Sequence, residues 1–209
     1  TQFYSPAVLE IINKLRLLIT EDKIDKVDKT LQQLGLTSLT NARKPTPLDE
    51  AKNIIYFLRH VYYDAVGDMY TYIKKNLDTE SFNNTNIVKL GVWPGGDRDG
   101  NPFVTAEITR QVADELRMTL MKCYYNDIKN LSQKITFRNA QELIAELKND
   151  LYDSMFHPER VIRYSEILSR LEEIKQIVER DYYSLYTEEI QLLIDKVSIF
   201  KNHFAVLDI

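Results

Sequence analysis

Four of the six glycines in this 209-residue chain fall between Gly91 and Gly100, inside the segment GVWPGGDRDGNPFVT, which also holds the only tryptophan, Trp93. Glycine and proline are the strongest punctuators of regular structure. A chain with this distribution folds as long helices broken by one stiff, charged, glycine-rich loop at 91–105.

The flanking sequence reads as helix almost throughout. Ser5-Pro6 is a start signal, with Ser as N-cap and Pro at the first helical position, followed by Val8, Leu9, Ile12, Leu15 and Ile19 at helical spacing. Ile24, Val27, Leu31 and Leu34 predict a second short helix that Gly35 caps. Thr46-Pro47 opens a third, with Asp49 and Glu50 in its first turn, and Ala51, Ile54, Ile55, Leu58, Val61, Tyr62 and Ala65 form its apolar face as far as about Asn76. Thr105 caps a long helix through Ile108, Val112, Leu116, Leu120, Cys123 and Leu131. Asn139 and Glu142 have capping-box spacing before Leu143, Leu147 and Leu151. His157-Pro158 begins a last helical region, with Val161, Ile162, Ser165, Leu168, Leu171, Ile174 and Val178 inward; residues 158–202 read as one helix or two.

Two stretches read as strand. IVKLGVW, 87–93, is β-branched and ends at glycines, and FAVLDI, 204–209, is an apolar run of the buried parallel kind. The long helical excursion between them permits parallel pairing. The chain starts at Thr1 and stops within FAVLDI, so both ends are expected to be cuts through a longer protein.

The composition, 44% hydrophobic and 28% charged with a net charge of −4, is that of a water-soluble globular chain and lacks the basic excess of a nucleic-acid surface. No apolar run is long enough to span a bilayer. A single cysteine, Cys123, excludes an internal disulfide and fits a cytoplasmic setting; within a helical pattern it reads as a buried, inert thiol.

The order strand, glycine-rich loop, helix suits an anion, because a helix N-terminus concentrates unpaired N–H groups. Gly95 and Gly100 have phosphate-loop spacing, but Asn101-Pro102 stand where Lys and Ser or Thr are needed. Asp97, Asp99 and Asn101 match the first three ligand positions of a calcium loop, yet Pro102 and Ile108 replace its glycine and its bidentate glutamate. Dinucleotide-loop spacing and a nucleophile elbow are both missing. Asp, Asn and Gly are also ordinary turn residues, and Arg98 paired with a neighbouring acid needs no ligand. On the residues alone, a structural turn and a ligand-presenting loop both stand.

GVWPGGDRDGNPFVTAEITR, and above all GGDRDGNP at 95–102 followed by Val104-Thr105, resembles the signature segment of phosphoenolpyruvate carboxylases. KPTPLDEAK at 44–52 resembles the head of an upstream helix in that family, and FAVLDI the barrel strand that leads into an arginine motif. TQFY at 1–4 resembles the residues just after the family's catalytic His-Pro dipeptide in a Bacteroidetes-like bacterial variant, so Thr1 would adjoin that histidine.

The resemblance covers essentially the whole chain, but only an N-terminal part of the family's length. It implies a mostly α piece of a TIM-like α/β barrel with two short parallel strands, a single partial domain over 1–209. The implied reaction is carboxylation of phosphoenolpyruvate by bicarbonate to oxaloacetate and phosphate, with Mg²⁺ or Mn²⁺, serving carbon dioxide fixation and the tricarboxylic acid cycle. The implied whole protein is a cytoplasmic homotetramer. By resemblance Trp93 lines a hydrophobic pocket, Arg98 is a cationic group near the substrate anions, Asp97 and Asp99 orient Arg98 and the backbone, Asn101 caps the loop, and Gly95, Gly96 and Gly100 allow close backbone approach. Pro94 departs from the apolar residue of many members. The catalytic His, the catalytic Lys and the metal ligands fall outside this stretch, so the chain alone is expected to be inactive and to bind no metal. His60, His157 and His203 match no family motif. The alternative is a non-catalytic helical interaction module that keeps the loop as scaffold.

Overall fold

The computed structural model describes residues 4–39, 45–77, 82, 84–97, 101–157 and 160–207. Helices α1 (Pro6–Thr20) and α2 (Ile24–Leu36) pack on each other. The Ser5 hydroxyl caps α1 by accepting from Val8 N, as its position predicts. Val8, Ile11, Leu15 and Leu18 are buried in this hairpin, outside the main core cluster. Ile12 and Ile19 point to solvent, and Ile24 is 72% exposed, so the inward stripe lies one residue round from the expected one. Gly35 sits inside α2, which Thr37 terminates.

Helix α3 (Pro47–Phe57) starts at a reciprocal cap, Thr46 with Asp49, and passes through a π-helical turn, Leu58–Tyr62, into α4 (Tyr63–Asn76). Strand β1 (Gly91–Val92) leads through the loop into α5 (Ala106–Lys134), a rod about 43 Å long at 1.5 Å per residue. Helices α6 (Ala140–Phe156), α7 (Tyr164–Asp181) and α8 (Thr187–Phe200) come next, then β2 (Val206–Leu207). The region 158–202 therefore holds two helices. They are separated by a reversal in which Tyr183, Ser184 and Tyr186 adopt positive φ. His157 is the C-cap of α6, not the start of α7, and Val161 and Ser165 are exposed while Ile167 faces inward. Asn139 precedes α6 at φ 65° with no side-chain cap bond, so no capping box forms there.

Helix α5 is the axis of the molecule, packed against α3, α6 and α8, with α7 closing the layer between α6 and α8. Its face of Val112, Leu116, Leu120, Cys123, Ile128 and Leu131 is buried, and only Ile108 of the expected stripe is partly open. The strands pair in parallel, Gly91 with Val206 and Val92 with Leu207. Both are shorter than the predicted 87–93 and 204–209. The ladder reaches back only as far as the Val206 N–H, which donates to Leu90 O at 2.8 Å, and residues 208–209 lie outside the described residues. Among the described residues no further strand lies beside this pair, and two strands alone have little hydrogen bonding to extend them.

Candidate functional site

The loop leaves the C-terminal end of β1, where Val92 is buried against the core. Its first half is a tight turn: Trp93 O accepts from Gly96 N at 3.1 Å and Asp97 N at 3.4 Å. Gly95 makes this turn with φ +86°, and a Cβ there would lie 2.5 Å from Cγ2 of Val112. The turn thus rests directly on α5, and Gly95 and Gly96 are both buried. Trp93 is 70% exposed, so it is not a core aromatic; its ring stands off the strand end toward solvent, as does that of Phe103.

The second half is built from the other side. The Asn101 carboxamide oxygen accepts from Phe103 N at 3.1 Å, and its backbone carbonyl accepts from Val104 N at 3.0 Å. Val104 is buried, and Thr105 then caps α5 by accepting from Ile108 N. Asn101 therefore closes its end of the loop ahead of the helix. Asp97 is half-buried. Arg98, Asp99, Gly100 and Thr1 lie outside the described residues. The structure brings Trp93, Gly95, Gly96, Asp97 and Asn101 to one strand end.

A second polar centre was not foreseen. Lys196 is only 4% exposed, yet its ammonium donates to Asp64 Oδ1 at 2.7 Å and Asp127 Oδ2 at 3.3 Å. Tyr63 donates its hydroxyl to the same Asp127 oxygen at 2.8 Å, and its ring lies 4.3 Å below the ammonium. Beside it, Lys74 donates to both oxygens of Asp195 at 3.0 Å. Gly67 gives the Lys196 stem room, since a Cβ there would lie 2.7 Å from Lys196 Cε. A signal existed in the sequence: Asp195-Lys196 interrupts the largely apolar run LLIDKVSIF, and a charge in a buried helix needs a partner. This centre ties α8 to α4 and α5.

Burial pushes the Cys123 thiol up to about 12, so it is inert as expected. Burial, then the neighbouring Arg59 charge, lowers the value for His60, whose ring sits 4.4 Å from that of Tyr56. Among the described residues no group of three or more His, Cys, Asp or Glu is placed to hold a metal ion, and no helix is long and apolar enough to cross a membrane.

The model of the phosphoenolpyruvate carboxylase family matches residues 10–186. The chain belongs to the phosphoenolpyruvate carboxylase family. Among curated relatives, the phosphoenolpyruvate carboxylase of Histophilus somni is 36% identical over 132 residues, covering 59% of this chain and 15% of that protein. That of Aeromonas hydrophila is 30% identical over 161 residues, covering 72% of this chain and 17% of the relative. That of Vibrio parahaemolyticus is 30% identical over 179 residues, covering 81% and 20%. The chain thus spans between 15% and 20% of the length of these phosphoenolpyruvate carboxylases. The loop at 91–105 lies inside the matched region.

Proposed function

We propose that the polypeptide carrying this chain carboxylates phosphoenolpyruvate with bicarbonate, giving oxaloacetate and inorganic phosphate, and that residues 91–105 form one wall of its active site. The observation that carries this reading is a GGDRDGNP loop at the C-terminal end of a parallel strand, feeding a helix, in a chain of this family. Strand ends of that kind are where α/β barrels collect their catalytic groups, and β1 and β2 are read as two strands of such a barrel.

The reaction brings a multiply charged phosphate ester against an anionic bicarbonate and then forms an enolate. Cationic donors fixed where that charge develops lower the barrier, and a dry apolar wall keeps the carboxylating species from water. Arg98 supplies the guanidinium, Asp97 and Asp99 orient it, and Trp93 supplies the wall. The 70% exposure of Trp93 supports this, because its ring is free to meet other parts of the barrel. Gly95 and Gly96 let the backbone approach α5, which holds the loop still. Mg²⁺ or Mn²⁺ serves the whole enzyme, a cytoplasmic homotetramer; the described residues of this chain offer no fitting ligand set. The 209 residues are read as part of one domain, with the family's catalytic His and Lys carried elsewhere in the whole polypeptide.

A coupled assay of oxaloacetate formation tests this. The isolated chain should show no turnover, and in the whole polypeptide Arg98→Ala should cut turnover at least about tenfold, roughly 1.4 kcal/mol of barrier. Genuine turnover by the chain alone, or wild-type kinetics in the Arg98 variant, would overturn the corresponding part of the reading.

A further inference from the structure

At the opposite end of the two strands lies a cavity of about 210 Å³, walled by the residues that lead into β1 and β2. Val66, Phe200 and Phe204 give it an apolar floor, and all three are buried. Lys89, Lys201 and His203 stand on its rim, and among the described residues no carboxylate lines it. In a chain with 31 acidic residues against 27 Lys and Arg, an acid-free rim with three basic side chains is a local exception. The volume is below the roughly 300–1,000 Å³ of pockets for drug-sized ligands.

Lys201 adds an independent observation. Its backbone lies at φ 55°, ψ −120°, where glycine is comfortable and other residues are strained. The main chain is held there from both sides: Tyr124 donates its hydroxyl to the Lys201 carbonyl at 2.9 Å, and the adjacent Asn202 bridges Tyr164 N and Ile162 O. A glycine would turn this corner without strain, yet the position, which lines the cavity, carries a lysine, whose ammonium lies 6.0 Å from the centre of the Tyr164 ring.

We propose that this cavity binds a small organic anion, a carboxylate carrying a compact apolar body, whose charge meets the Lys89, Lys201 and His203 rim while its body rests on the Phe200 and Phe204 floor. The cavity is separate from the 91–105 loop, and its ligand is independent of the role assigned to that loop.

Isothermal titration of phenylacetate into the chain, shown folded by circular dichroism, tests it, with inorganic phosphate as the probe that lacks an apolar body. Phenylacetate is expected to bind saturably and more tightly than phosphate. Lys89→Glu and Lys201→Gly should each weaken it at least about tenfold. Lys26→Glu, the same charge change on α2, should leave binding intact. Lys201→Gly should also raise the melting temperature, since it relieves the strained backbone while removing the cation. Absence of phenylacetate binding to the folded wild-type chain would overturn the proposal, as would unchanged binding in both rim variants or equal weakening by Lys26→Glu. Phosphate binding as tight as that of phenylacetate would overturn the assignment of an apolar body.

Discussion

Gly95 shows at the residue scale how the loop is held. Its φ of +86° disfavours any side chain, and a Cβ would stand 2.5 Å from Val112 Cγ2, inside contact distance. Both faults act together in Gly95→Ala, which should destabilise the fold by at least about 2 kcal/mol, combining left-handed strain with overpacking. Urea unfolding checks this; an unchanged midpoint would mean that the loop lifts off α5 without loss. The resemblance implies a close backbone approach at Gly95-Gly96, but linear spacing does not name Val112, in the second turn of the next helix, as the partner. Asn139 is the opposite case. Its capping-box spacing with Glu142 is legible, and its φ of 65° leaves the cap unformed.

The π turn at Leu58–Tyr62 sets which face of α4 turns inward. Ordinary helical spacing from Leu58 places Val61, Tyr62 and Ala65 inward. The π turn, closed by Tyr63 N donating to Leu58 O, inserts one extra residue and moves the buried stripe to Tyr63, Val66, Gly67 and Tyr70. That shift is what turns Tyr63 toward Asp127 and lets Asp64 reach Lys196. A periodic pattern presumes a constant 3.6 residues per turn, so one inserted residue defeats it without any breaker in the sequence. Deleting Val61, which is exposed, should convert the turn to regular α-helix with the Tyr63 face still inward. Stability by urea unfolding should then change by less than about 1.5 kcal/mol, within the range of mild substitutions. Loss of the cooperative transition would show that the wider turn is itself required.

For the whole molecule, the core is rich in groups that fold in neutral form. Tyr63 and Tyr124 are fully buried and burial raises both well above the ordinary tyrosine value; burial likewise raises Cys123 to about 12. In the unfolded chain these groups ionise at about 8.5 for Cys and about 10 for Tyr. Ionisation then favours the unfolded chain, so their contribution is complete below about pH 8 and is lost progressively as pH rises toward 12. The melting temperature should fall steadily above pH 9. Cys123→Ala should flatten the first part of that fall while leaving the part above pH 10. A flat profile between pH 8 and 11 would mean that these groups titrate normally in the folded chain.

Helix content, most helix boundaries, the Ser5, Thr46 and Thr105 caps, the inert Cys123 and the pairing of two distant strands were all present in the sequence. Each depends on local chemistry: the hydrogen-bond demands of a helix end, or the spacing of apolar residues. The family was equally legible, because eight consecutive residues of the loop carry it. Tertiary structure alone decided the rest. It set the face that α4 buries, the Lys196 centre that ties α8 to α4 and α5, the exposure of Trp93, and the basic cavity beneath the strands. These depend on which distant side chains share a space, as Gly67 with Lys196 or Tyr124 with Lys201, and linear spacing does not encode that.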